Sequence, residues 1–203
     1  ITAATNLIDG EFGIPALHTS GKCDRERLTD GLGTVFETSN ISIKPYPSCR
    51  CTHAVIDAAM TLQREQSVAW QDIEAGTVFL PPQAMGQVGH PFQIRDNPTV
   101  DAQFNAPYTA ALAFMNGNVG LDDFRPEAIR ERYGIARLAA KFACVEFEKN
   151  ASGLVPVVMG LTLKNGRSVE TRIETPKGNP QNPLTDEEMM AKFNDCLGHA
   201  VRE

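Results

Sequence analysis

The chain has 203 residues, 42% hydrophobic and 22% charged, which excludes a disordered, collagen-like or purely coiled-coil protein. Nineteen Lys+Arg against 25 Asp+Glu leave a net charge of −6, a balance poorly suited to binding nucleic acid through its phosphates. No apolar run reaches the roughly 18 residues of a membrane-spanning helix, and residues 1–10 lack the charged-then-apolar layout of a signal peptide.

The first residue is Ile1, not Met, which reads as a processed chain or a piece of a longer one. Residues 1–20 form an irregular lead punctuated by Gly10, Gly13 and Pro15. Residues 34–37 and 41–44 are β-prone, and Pro45 and Pro47 stop further extension. From 50 to 66 the pattern is helical, with Ala54, Val55, Ala58, Ala59 and Leu62 on one face. Residues 72–80 fit a strand closed by Pro81-Pro82. A helix is expected over 97–116, started by Asn97-Pro98, apolar nearly all round in its later part, and ended by Gly117 and Gly120.

Pro126 opens a helix over 127–133, and 135–140 continues as a short helix. Strands follow at 142–148, 155–163 and 168–174, the last two joined by Asn165-Gly166, which favours a type I′ turn. Residues 177–183 are a loop. Thr185 then caps a final helix, with Glu188 as its capping-box partner and Met189, Met190, Phe193 and Leu197 in one stripe. Helices and strands mix without regular βαβ alternation and close on an antiparallel hairpin, so the fold class is α+β.

Five cysteines, Cys23, Cys49, Cys51, Cys144 and Cys196, are an odd number without framework spacing, which fits a reducing, cytoplasmic setting. Cys49 and Cys51 are too close for an ordinary bridge. Cys49, Cys51 and His53 lack the spacing and the second ligand pair of a zinc site, so no metal is expected.

Two stretches can carry chemistry. In Lys44-Pro45-Tyr46-Pro47-Ser48-Cys49-Arg50-Cys51-Thr52-His53, two prolines fix the backbone just before a helix. There Lys44, Arg50 and the helix N-terminus suit a carboxylate. The alternative is a surface pair between His53 and Asp57, with Lys44 solvated. In Gln103-Phe104-Asn105-Ala106-Pro107-Tyr108-Thr109, polar side chains flank a buried segment and take either a ligand or neighbouring backbone as partners. Pro107 kinks the helix there or marks its true start. His18, His90 and His199 read as surface residues. No nucleotide-binding loop or nucleophile elbow is present.

The stretch Lys44 to Cys49 through His53, Ile56 and Asp57 resembles the 2-methylcitrate dehydratase (MmgE/PrpD) family. So do Gln103-Phe104 through Pro107-Tyr108 to Gly117, and Gly178-Asn179-Pro180 through Asn182-Pro183-Leu184-Thr185 to Lys192-Phe193. Asp9-Gly10-Glu11-Phe12-Gly13 is similar to the segment preceding the family's smaller domain. The resemblance implies an α+β domain paired with a large all-helical domain that is absent here. Residues 1–28 would be the tail of the helical domain and a linker. Residues 29–176 would be the α+β domain, and 177–203 a linker and the start of the helices that return.

It also implies a lyase of the hydro-lyase type that needs no cofactor and acts on a small di- or tricarboxylate. Lys44 would neutralise substrate charge, Tyr108 would bind a carboxylate or pass a proton, and His53 matches a further histidine of the motif. Cys49 stands where the decarboxylase branch has a histidine. Arg50 and Gln103 join Cys49 as substrate-binding candidates, with Lys44, Tyr108 and His53 the catalytic ones. Expected partners are the polycarboxylate, the helical domain in the same or a separate chain, and a second copy as a homodimer, with neither nucleic acid nor membrane. The isolated chain would hold about half the site and be inactive. The alternatives are a racemase or epimerase of dicarboxylates on the same scaffold, or a non-catalytic α+β binding module.

Overall fold

The computed structural model describes residues 6–8, 10–24, 26–147 and 153–200, and the chain divides into two units, residues 1–40 and 41–203. The first unit holds helix α1 (Ile14–Thr19) and two 3-10 turns, Glu26–Leu28 and Glu37–Asn40, none with a buried residue. The expected irregular lead thus contains a short helix, started by Pro15 in its first turn and closed by Ser20 at φ 53°. The β-prone run 34–37 is not a strand. Val35 and Phe36 are largely exposed and no partner strand pairs with them, so the run bends into the second 3-10 turn.

The second unit runs α2 (Arg50–Glu65), β1 (Ile73–Leu80), α3 (Pro82–Val88), α4 (Pro98–Gln103), α5 (Ala106–Asn116), α6 (Pro126–Glu131), α7 (Tyr133–Ala139), β2 (Phe142–Glu146), β3 (Val157–Leu163), β4 (Ser168–Ile173) and α8 (Asp186–Ala200). The strands form one sheet in the order β2-β1-β3-β4, with β1 parallel to β2 and the other pairs antiparallel. The class is α+β. The parallel pair needs a crossover, and α3 to α7 supply it. Among the described residues no helix is long and apolar enough to cross a membrane.

The core forms where α2 and α5 meet the sheet. Residues 106–114 of α5 are all buried, as expected for a helix apolar nearly all round. Phe114 stacks on Phe142 of β2 with ring centroids 6.1 Å apart. Gly76 of β1 permits this closeness, because a Cβ there would lie 2.5 Å from the Phe142 ring.

Four local expectations are corrected. Residues 41–44 make no ladder; Ile43 N–H instead donates to Gly178 O at 2.8 Å. Pro81-Pro82 closes β1 but also opens α3, since proline suits a first helical turn. The single helix over 97–116 is two, broken at Phe104 and Asn105. Asn105 caps α5 through Oδ1 to the Tyr108 N–H, and Pro107 sits in the first turn. The β3–β4 turn is not type I′: only Gly166 has positive φ, 83°, and Leu163 pairs with Arg167 across a three-residue loop. The Thr185–Glu188 capping box forms as expected, at 2.8 and 3.2 Å.

Candidate active site

Lys44 is exposed on the loop that enters α2, its Nζ donating to Ser48 O at 3.2 Å. One N–H of the ammonium is used and two remain to meet an anion. The loop is stiff. Pro45 and Pro47 fix its φ angles, and Ser48, 5% exposed, bonds Thr52 Oγ1 at 2.8 Å. The Thr52 hydroxyl donates to Cys49 O, so in the Ser48–Thr52 pair Ser48 is the donor.

Gln103 braces this loop. Its carbonyl accepts from Cys49 N–H at 3.0 Å and its Nε2 donates to Pro47 O at 2.8 Å. Gln103 thus holds the loop by its main-chain carbonyl and by one side-chain N–H.

Arg50 is also held within the site. Its Nη1 lies 2.9 Å from His53 Nδ1 and 3.1 Å from Lys177 O. A guanidinium only donates, so His53 Nδ1 is the acceptor and the ring proton sits on Nε2. His53 is fully buried, and burial followed by the Arg50 charge brings its pKa down to about 3. The imidazole is therefore neutral, with its proton on the buried Nε2. The expected surface pair with Asp57 does not form. Asp57 instead accepts from the Tyr46 hydroxyl and the Lys177 N–H, each at 2.7 Å.

Cys49 and Cys51 are both buried, with their sulfurs 3.8 and 3.4 Å from Gln87 Oε1 on α3. A hydrogen bond from Cys51, helped by Lys44 and opposed by burial, lowers Cys49 to about 6. The same contact and burial push Cys51 up. All five cysteines are free thiols.

Tyr108 is fully buried at the start of α5, its ring 4.4 Å from Phe92. Its hydroxyl has no hydrogen-bond partner among the described residues, and burial raises its pKa to about 12. The charges acting on it are Arg132 and Asp123, which pair with each other, and no described hydrogen bond or ring contact joins Tyr108 to Lys44, Cys49 or His53. The other polar groups of this stretch are satisfied by backbone: Asn105 Nδ2 donates to His90 O at 2.7 Å, and the Thr109 hydroxyl to Asn105 O at 3.0 Å.

The structure thus gathers Lys44, Cys49, Arg50, His53 and Gln103 around the start of α2 and sets Tyr108 on a neighbouring helix. Three participants went unread in the sequence: Gln87, the Lys177 backbone and the Tyr46–Asp57 pair. Only the last carried a signal, an acidic residue among the mostly apolar positions 54–60 of α2.

Comparison with known proteins places the chain in a family. Residues 46–203 match the MmgE/PrpD C-terminal domain. The cis-aconitate decarboxylase-like protein OryM of Aspergillus oryzae is 29% identical over 184 residues, covering 87% of this chain and 38% of that protein. The cis-aconitate decarboxylase of Aspergillus terreus is 23% identical over 191 residues, covering 88% of this chain and 38% of its own length. The chain therefore spans well under half the length of these relatives. With the family match running from Tyr46 through the whole of α8, the chain belongs to the MmgE/PrpD family and carries its C-terminal domain.

Proposed function

We propose that the chain supplies the anion-holding part of the active site of a lyase that needs no cofactor and acts on a small di- or tricarboxylate. The observation that carries this reading is Lys44: exposed, held at the mouth of α2 by Ser48 O, and still able to give two N–H bonds. Arg50 and Lys177 are engaged elsewhere, Arg50 by His53 and Lys177 by Glu188 at 2.8 Å. This part of the site would therefore neutralise one carboxylate, and the rest of the substrate would be held by a segment outside the chain. When a proton or carbon dioxide leaves the carbon next to a carboxylate, the electron pair stays behind on carbon and spreads to the carboxylate oxygens, and a fixed ammonium stabilises that charge as it develops.

His53 is neutral and does not exchange its proton near pH 7, so it serves the site by orienting Arg50. Cys49, whose thiol is held below its ordinary range by Cys51 and Lys44, is better matched to proton transfer. Dehydration is the first reading, because a thiol stands at Cys49 where the decarboxylase branch has a histidine. Decarboxylation is the second, supported by the two relatives, a cis-aconitate decarboxylase and a cis-aconitate decarboxylase-like protein. Epimerisation of a dicarboxylate begins with the same proton removal.

The test is to incubate the longest natural form of the protein with citrate-like tricarboxylates and substituted succinates in deuterium oxide. Loss of water with a new conjugated double bond supports dehydration. Release of carbon dioxide supports decarboxylation, and deuterium uptake without either supports epimerisation. None of the three over a full panel would reject the enzyme reading and leave a binding module.

A further inference from the structure

We propose that Asp57 is a positioning residue that fixes the Lys44 loop through Tyr46 and Lys177; this rests on the reading of Lys44 as the carboxylate-holding group. Lys44 sits between two anchored residues. On one side Ile43 N–H donates to Gly178 O at 2.8 Å. Gly178 has φ 82°, and a Cβ there would lie 1.9 Å from Ile43 O, so only glycine lets the two segments approach this closely. On the other side Tyr46, flanked by Pro45 and Pro47, reaches into α2 and gives its hydroxyl to Asp57 Oδ1 at 2.7 Å.

The second carboxylate oxygen, Oδ2, accepts the Lys177 N–H at 2.7 Å, and Lys177 O accepts from Arg50 at 3.1 Å. One carboxylate therefore ties the Lys44 loop, helix α2 and the segment bearing Gly178. Burial works against an ionised carboxylate here; the Lys177 N–H, the Tyr46 hydroxyl and the Arg50 charge oppose that effect. Asp57 shares its half-buried helix face with Met60 and Thr61, and a carboxylate there is costly unless it is hydrogen-bonded, as both of its oxygens are. Asp57 itself presents no free oxygen atom to a substrate. Its effect passes through Tyr46 to a lysine two residues away in sequence.

The experiment uses the longest natural form of the protein with Asp57→Ala, Asp57→Asn and Tyr46→Phe. An amine-specific acylating reagent is applied at neutral pH, and modification of Lys44 is read by peptide mass spectrometry against exposed Lys164 in the same sample. Asp57→Ala should label Lys44 about fivefold faster, the scale of one lost hydrogen bond. Asp57→Asn should return most of the way to wild type, since its amide oxygen can accept from Lys177 and its NH₂ can donate to the Tyr46 oxygen. Turnover should fall with Asp57→Ala and recover with Asp57→Asn.

Unchanged labelling in a folded Asp57→Ala protein overturns the proposal, whatever happens to its melting temperature. If that variant does not fold, Tyr46→Phe decides: faster Lys44 labelling supports the proposal and wild-type labelling rejects it. If labelling shifts as expected while Lys44→Ala leaves turnover intact, the positioning role stands and the catalytic reading of Lys44 falls.

Discussion

At His53 burial and the Arg50 charge together keep the ring neutral, and Arg50 sets the tautomer. The Arg50 guanidinium can only donate, so the imidazole accepts at Nδ1 and is neutral. Its folded pKa, about 3, lies below the ordinary 6.5, so the unfolded chain binds more protons between these values. The stability owed to neutral His53 is complete above pH 6.5 and is lost as pH falls toward 3. Asp57, with its pKa raised, works in the opposite sense, losing stability as pH rises through its own range. Comparison of wild type with His53→Gln isolates the histidine: the melting temperature of the wild type should fall more steeply from pH 6.5 to 4.5. Equal slopes would contradict a buried neutral imidazole. At the thiols, a small neutral reagent such as methyl methanethiosulfonate at pH 7 should modify Cys49 ahead of Cys51, because Cys49 is the one held down to about 6. Equal rates would count against that assignment. The sequence spacing allowed His53 to meet Asp57 one helical turn away. It could not reveal that Asp57 is taken from 120 positions along the chain by the Lys177 N–H.

At the scale of elements, composition and periodicity located α2, β1, β3, β4 and α8 closely, because each is long enough for its pattern to repeat. Helix α3 escaped notice: at seven residues, with Gly86 inside it and only Ala84 and Val88 buried, it has no period to read. The break between α4 and α5 was half legible. Pro107 marked it, but the feature that makes it a clean restart is Asn105, which caps α5 and ties it to His90 O. Asn105→Ala removes both bonds at a fully buried position and should lower stability by about 2 kcal/mol or more, read as a drop in the urea midpoint at constant slope. Asn105→Ser, which keeps the capping oxygen, should cost less. A neutral Asn105→Ala would mean that Pro107 alone sets the start of α5.

Across the whole molecule, the last helix keeps an exposed apolar stripe. Met190, Phe193 and Leu197 of α8 are 54%, 55% and 48% exposed, and the chain spans 38% of the length of its relatives. Family membership was legible because four short motifs keep their order along the chain. Roles were less so, since the partners of Arg50, His53 and Gln103 are settled by packing that no local pattern encodes. If the proposed divided site is right, the isolated 203-residue chain should show only background turnover on polycarboxylates, because single catalytic groups are worth about 10²–10⁴ in rate. Full turnover by the isolated chain would refute a divided site.

The most direct measurement is the kcat/KM of Lys44→Ala in the longest natural form of the protein, on whichever polycarboxylate the wild type converts. Loss of the ammonium should lower kcat/KM by about tenfold or more, equal to roughly 1.4 kcal/mol of transition-state stabilisation, with the fold intact. A folded Lys44→Ala protein with a smaller loss would show that Lys44 is not the group that holds the substrate's charge.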